Sequence, residues 1–269
     1  MTIPEKRILL CLAHMSGNEE RYIKEAFDTN WVVPLGPNVN GFERDLKRFM
    51  ASPGPSDGRG ERNPKQWAED GYPQSIMAHE NDPEKLWTVG DERLRDKQVV
   101  ALASGTAAVH LSLVGLGGQG GAGVSCQSFT FCASSHPVTY LGARPVFVDS
   151  ERDTWNMDPQ LLGDAIRDRI DKTGRKPEAI SVVYLYGMPA KIDEIKAVAE
   201  KYAIPLVEDA AEGLGSRYRG QMCGTFGEYG VLSFNGNKMI TTSGGGALVC
   251  PDKATKQRIM FYATQAREA

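Results

Sequence analysis

The sequence predicts an α/β protein built on a parallel or mixed sheet with helices on both faces. Two observations carry this. From Val99 onward, short apolar runs alternate with helical stretches. In addition, 269 residues of ordinary soluble composition suffice for one large α/β domain or two smaller ones.

Residues 16–27 predict a first helix, with Ser16 as N-cap and Glu19 three residues on, the spacing of a capping box. The punctuated stretch PLGPNVNG reads as a loop, and residues 42–49 as a short helix with Phe42, Leu46 and Phe49 on one face. Residues 50–98 change texture: they are rich in Gly, Pro and charge and poor in aliphatics, the composition of a long loop or partly disordered insertion. Trp67, Tyr72 and Trp87 argue that part of it docks. VVALA then opens the alternating region as a strand, and SGTAAVHLSLVGL follows as a helix. GVSCQSFTFCAS carries a strand and a turn, RPVFVDS another strand, and residues 159–171 a helix. AISVVYLYG, KIDEIKAVAEKY and IPLVEDAAE repeat the strand, helix, strand pattern, and YGVLSFNG and GGGALVC are strand-like. No internal repeat is visible.

Composition excludes several function classes. The formal net charge of −3 gives no basic footprint for nucleic acid, with 41% hydrophobic and 24% charged residues near average usage. No apolar run approaches the roughly 20 residues of a membrane helix, and residues 8–13 lack the architecture of a secretory signal, so a cytoplasmic protein is expected. Five cysteines without a C-x-x-C pair and four histidines without ligand spacing predict reduced thiols and no metal site.

Four motifs carry chemistry, each with a plain alternative. GLGGQG satisfies G-x-G-x-x-G, but a helix precedes it and a strand follows, the reverse of a dinucleotide fingerprint, so a helix-ending linker is the better reading. Ser104-Gly105-Thr106 stands where a strand meets a helix N-terminus, whose N–H groups and dipole suit a phosphate; a simple helix cap competes. Asp209 ends an apolar strand, where open α/β sheets gather ligands, against the alternative of a solvated acid. An acid there suits the protonated ring nitrogen of pyridoxal phosphate. Lys238 lies 29 residues on (238 − 209), in SFNGNKMITTSGGG, and its surroundings do not match a P-loop. A partly desolvated lysine beside an aldehyde cofactor forms a Schiff base; a lone surface charge is the alternative.

Together, SGTAAVHLSL, QSFTFCASSHPVTYLGARPVFVD, YLYGMPAKIDEI, VEDAAEGLGSRYRGQMCGTFGEYGVLSFNGNK and TTSGGGALV resemble the DegT/DnrJ/EryC1/StrS family of pyridoxal-phosphate-dependent sugar aminotransferases. HMSGNEERYIKEAFDTNWVVPLGPNVNGFE looks most like members that aminate nucleotide-linked 4-keto sugars for polysaccharide or glycan synthesis. The resemblance covers nearly all of the chain outside residues 50–98. It implies an aspartate-aminotransferase-like large domain (fold type I) with a mostly parallel seven-stranded sheet over residues 99–269, preceded by an N-terminal helical segment and substrate loop in residues 1–49. It also implies a smaller C-terminal domain that this chain, ending at TQAREA, is expected to lack, and a homodimer in the full-length form.

By the same resemblance, Lys238 is the Schiff-base lysine and Asp209 the partner of the pyridine nitrogen. Gly105 and Thr106 hold the phosphate with Ser104 beside them and Ser233 completing the cradle. Phe131 stacks on the cofactor ring, with core packing as its alternative. Glu212 stands where many relatives have His or Gln, near the cofactor's hydroxyl side. Trp31, Pro34, Leu35 and Gly36 help form the sugar-nucleotide entrance. The implied reaction is ping-pong transamination, with glutamate as the expected donor and Lys238 moving the proton. Lys238 argues against the family's dehydratases, which resemblance gives a His at that position. Two departures stand out: GGQGGAGVSC replaces the usual Pro-Gly-Asp-Glu-Val-type turn, and residues 50–98 interrupt a short connection. The competing readings are a noncatalytic cofactor- or ligand-binding remnant and, more weakly, a nicotinamide-dependent oxidoreductase resting on GLGGQG.

Overall fold

The computed structural model describes residues 15–52, 94–118 and 120–266, and the expected docking of Trp67, Tyr72 and Trp87 lies outside them. A seven-stranded sheet runs in the order β1-β9-β8-β5-β4-β2-β3, with β1 Gln98–Leu102, β2 Gly123–Gln127, β3 Arg144–Val148, β4 Ala179–Val183, β5 Leu206–Asp209, β8 Tyr229–Ser233 and β9 Gly246–Cys250. β6 Arg217–Tyr218 and β7 Gln221–Met222 form a separate hairpin. Only β9 is reversed: it pairs antiparallel with both β1 and β8, and the other neighbours pair parallel. The mostly parallel seven-stranded sheet expected from the sequence is therefore present.

Parallel sheets need apolar cover on both faces, and successive residues of these strands serve opposite sides. Val99, Leu206, Leu232 and Val249 face one core, together with Leu46 of α2 (Pro37–Ala51), Leu162 and Ile166 of α5 (Pro159–Thr173), and Ile192 and Ile195 of α6 (Ile192–Tyr202). Val100, Val207, Val231 and Leu248 face the other, against Ala108, Val109 and Leu113 of α3 (Gly105–Gly115), Val138 of α4 (His136–Tyr140) and Ile259 of α7 (Lys253–Ala263). Among the described residues, no helix is long and apolar enough to cross a membrane.

Two helix starts differ from expectation. α1 is Glu19–Asp28 with Asn18 at the N-cap. Glu19 reaches back to the Ser16 N–H at 2.7 Å, but Ser16 Oγ accepts from Asn18 instead of closing a capping box, and the helix begins after both. α2 starts at Pro37, inside the predicted loop, because proline tolerates the first helical position; Gly36 just before it has φ 138°. The GLGGQG run leaves α3 at Gly115, where an added Cβ would overlap the Tyr229 hydroxyl, so that glycine serves packing.

Glu151 braces the loop after β3 and ties it to Lys191 at the start of α6. Its carboxylate accepts from the Asp153 N–H at 2.8 Å, from the Thr154 N–H at 2.7 Å and from the Thr154 hydroxyl, and pairs with Lys191 at 2.9 Å. Burial alone raises its pKa, but hydrogen bonds from Thr154, Lys191 and the two N–H groups outweigh burial and hold it at about 2. A depressed carboxyl contributes stability above its ordinary value of 4.5 and loses it as pH falls toward 2. Glu151→Gln should therefore lower the urea-unfolding free energy by about 1–2 kcal/mol at pH 7, and the gap to wild type should close between pH 4.5 and pH 2. A gap that stays constant with pH would contradict the assignment.

Candidate active site

The C-terminal ends of the parallel strands lie along one edge of the sheet, where such sheets bind ligands. Each site residue of the alternating region predicted from the sequence follows one of these ends. Ser104, Gly105 and Thr106 follow β1, Phe131 follows β2, Asp209 and Glu212 end and follow β5, and Ser233 and Lys238 end and follow β8.

The first turn of α3 crosses over the neighbouring strands, and close contact makes this possible. A Cβ on Gly105 would sit 2.9 Å from Ser233 Cβ. A Cβ on Gly246 would overlap the Ser104 carbonyl and the Gly105 nitrogen. Gly246 also pairs with both Ser233 and Leu102, so one glycine joins β8, β9, β1 and the start of α3. Ser104 Oγ accepts from the Ala107 N–H at 3.0 Å and caps the helix, as the simpler reading held. The Gly105 and Thr106 N–H groups lie in the first turn, which offers no intrahelical acceptor. The Thr106 and Ser233 hydroxyls have no hydrogen-bond partner among the described residues. Free donors at a helix N-terminus with a hydroxyl from the facing strand form an anion cradle.

Lys238 sits on the connection between β8 and β9. Phe234 donates to the Gly245 carbonyl at 2.9 Å, and its own carbonyl accepts from the Thr242 N–H at 3.0 Å and from Thr241 Oγ1 at 3.2 Å. Phe42 of α2 packs edge-on against Phe234, with ring centroids 5.3 Å apart. The lysine Nζ lies 3.3 Å from Glu212 Oε1, and its side chain is only 14% exposed. Glu212 Oε2 accepts from the Tyr186 N–H at 2.7 Å. Tyr186 adopts φ 52°, ψ 24°, a left-handed conformation unusual for a bulky residue, and such strain clusters at functional sites.

Asp209 is buried and accepts from Ser134 Oγ at 2.6 Å and from the Ala211 N–H at 3.1 Å. Thr130 Oγ1 in turn lies 2.8 Å from Ser134 Oγ. Burial raises the Asp209 carboxyl pKa, opposed by the Ser134 and Ala211 hydrogen bonds and by the charge of Lys238. The site thus presents a buried acid in want of a cation, near a half-buried amine. Phe131 is 70% exposed, so its ring does not pack in the core and is open to a ligand face. Trp31 and Leu35 are also exposed, and Gly36 lies against the Trp31 ring. No hydrogen bond or ring contact among the described residues joins Trp31, Pro34, Leu35 or Gly36 to Lys238 or Asp209.

Sequence reading missed Ser134 and Tyr186. The polar run CASS directly after the FTF stretch was the available signal for Ser134. Tyr186 carried none, because its importance lies in a backbone conformation.

The DegT/DnrJ/EryC1/StrS aminotransferase family matches residues 88–269. The chain belongs to that family. It is 43% identical over 98% of its length to the "Putative pyridoxal phosphate-dependent aminotransferase EpsN" of Bacillus subtilis (strain 168), covering 56% of that protein. It is 30% identical over 93% of its length to the GDP-perosamine synthase of Escherichia coli O157:H7, covering 55% of it. A crystal structure of a family aminotransferase from Brucella abortus superposes with a TM-score of 0.60 at 34% identity, covering 73% of this chain and 52% of that one. The chain spans about half the length of the relatives it matches.

The Gly246 contact can be tested independently of any ligand. Gly246→Ala should cost roughly 1–3 kcal/mol by overpacking against the backbone of Ser104 and Gly105. Gly244→Ala, where an added Cβ meets nothing within 4 Å, should change stability by less than about 0.5 kcal/mol. Chemical denaturation of both variants checks the contrast, and equal costs would refute it.

Proposed function

We propose that this chain is the large, cofactor-binding part of an aminotransferase that uses pyridoxal phosphate to move an amino group from an amino acid, glutamate in the first instance, to a nucleotide-linked keto sugar. The observation that carries this is Lys238: a lysine with its side chain only 14% exposed and its amine beside Glu212, on the same sheet edge as the buried Asp209 and the Gly105–Ser233 cradle. Names of relatives support the reading: one, "GDP-perosamine synthase", supports the nucleotide-linked sugar, and another, "Putative pyridoxal phosphate-dependent aminotransferase EpsN", supports the cofactor and the amino transfer.

The residues fit the group by their own chemistry. The Gly105 and Thr106 N–H groups and the Ser233 hydroxyl would hold the phosphate, Phe131 would cover a ring face, and Asp209 would pair with the ring nitrogen. When bound, pyridoxal phosphate supplies an aldehyde carbon and an electron-withdrawing ring. Asp209, held in place by Ser134 and the Ala211 N–H, would face a protonated ring nitrogen whose charge would offset the burial that raises its own pKa. Lys238 Nζ would hold the cofactor at its aldehyde carbon, and its amine, once free, would carry the proton from and to the substrate carbon. Glu212 keeps the lysine amine aimed into the site. Trp31, Pro34, Leu35 and Gly36 would border the sugar-nucleotide entrance, since the helix they lead into reaches the base of the lysine loop through Phe42.

The functional form we propose is a homodimer of the full-length protein. Exposed Phe129, Trp155, Tyr186, Met188, Met239 and Ile240 lie on the loops at the C-terminal strand ends, and grouped exposed apolar side chains are what a subunit interface would cover.

Purified protein mixed with pyridoxal phosphate should show the absorbance band of lysine-bound cofactor, and L-glutamate should convert it to the amine-form spectrum. Lys238→Ala should abolish the band and slow amino transfer by roughly a thousandfold or more. A band that no amino donor alters would favour a noncatalytic binding remnant, and an unchanged band in Lys238→Ala would refute the role given to the lysine.

A further inference from the structure

Between the Phe131 turn and the Tyr186 loop lie two fully buried amides that none of the chemistry above uses. Gln127 ends β2 and Asn156 sits in the loop after β3, and neither has any exposed surface. Gln127 Nε2 donates to the Phe129 carbonyl at 2.8 Å and to Asn156 Oδ1 at 3.3 Å, and its Oε1 accepts from the Met157 N–H at 2.9 Å. Asn156 Oδ1 also accepts from the Leu185 N–H at 3.0 Å, and its Nδ2 donates to the Met188 carbonyl at 2.8 Å. These bonds fix the orientation of both amides, because turning Asn156 over would set donor against donor at Leu185 and acceptor against acceptor at Met188.

The two Asn156 contacts on this loop bracket Tyr186. A bulky residue in the left-handed region persists only where its surroundings over-determine it. Besides the turn bonds from the Gly187 N–H to the Tyr184 carbonyl and from the Met188 N–H to the Leu185 carbonyl, both at 3.0 Å, the Tyr184 N–H meets the Asp209 carbonyl at 3.1 Å and Ser216 Oγ meets the Gly187 carbonyl at 2.6 Å. Among the described residues, Asn156 is the one side chain that bonds the segment on both sides of the strained residue. That residue's N–H is the one that orients Glu212, and Glu212 is the carboxylate beside Lys238.

We propose that Asn156, itself oriented by Gln127, is a positioning residue that clamps residues 185–188 so that the Tyr186 N–H aims Glu212 at Lys238. The same amide pair holds the Phe129 carbonyl, so the turn leading to Phe131 and the loop carrying Tyr186 are set by one buried hydrogen-bond network. Its catalytic meaning rests on the aminotransferase reading; the clamp itself does not.

The test uses the full chain with Asn156→Ala, Asn156→Asp and, as a stability control, Leu162→Ala, a fully buried core truncation on α5. Amide hydrogen exchange in the ligand-free protein should speed up at least tenfold at Leu185, Tyr186 and Met188 in Asn156→Ala, beyond any change in Leu162→Ala. Asn156→Asp keeps the acceptor oxygen but loses the donor, so Leu185 should stay protected while Tyr186 and Met188 do not. Pyridoxal phosphate affinity, read by fluorescence, should fall at least tenfold in Asn156→Ala and stay near wild type in Leu162→Ala. Exchange in residues 185–188 that is unchanged, or that rises no more than in the control, overturns the clamp. Failure of the wild type to take up pyridoxal phosphate would instead count against the aminotransferase reading, and the exchange comparison would still decide the clamp.

Discussion

The contact of Gly246 with the backbone of Ser104 and Gly105 sets the geometry on which the site depends. Because no side chain stands between them, the start of α3 descends onto the ends of β8 and β9 instead of stopping above its own strand. That brings the free N–H groups of a helix N-terminus against Ser233. The same pairing of Ser233 with Gly246 closes the base of the loop that carries Lys238. Anion cradle and amine are therefore products of one close approach.

β5 shows how a two-residue alternation assigns opposite work to adjacent acids. Glu208 points into the protein, where it accepts from the Tyr184 hydroxyl, from the Gly224 N–H at 2.8 Å and from the Gly227 N–H at 2.5 Å. Its neighbour Asp209 points toward the strand-end site, under Ser134 and within the field of Lys238. Burial raises the pKa of both carboxyls. Glu208 meets this with a complete set of protein donors and so braces the turns at Gly224 and Gly227. Asp209 keeps part of its demand for positive charge, which is what a ligand cation would answer.

Much of this was legible in the sequence, and the limits have physical causes. Strands such as AISVV and LVED announce themselves because both faces are buried, and Lys238 and Asp209 stand out through their order along such strands. The capping of Ser104 was also foreseen, since local hydrogen bonds are encoded locally. What the sequence did not disclose depends on contacts between distant segments. Ser134 matters because the turn after β2 folds over β5, and Asn156 because two loops meet around it. The left-handed Tyr186 is held by its neighbours and not by its own preference. The start of α2 was misplaced because Pro and Gly punctuate loops and helix N-termini alike.

The central claim is that one lysine, positioned by strand ends and by Glu212, is the group that meets an aldehyde cofactor. Incubation of the full chain with pyridoxal phosphate, borohydride reduction and peptide mapping by mass spectrometry tests it directly. The account predicts a single phosphopyridoxyl group on the peptide bearing Lys238. Label spread over surface lysines, or concentrated on another such as Lys256, would contradict it.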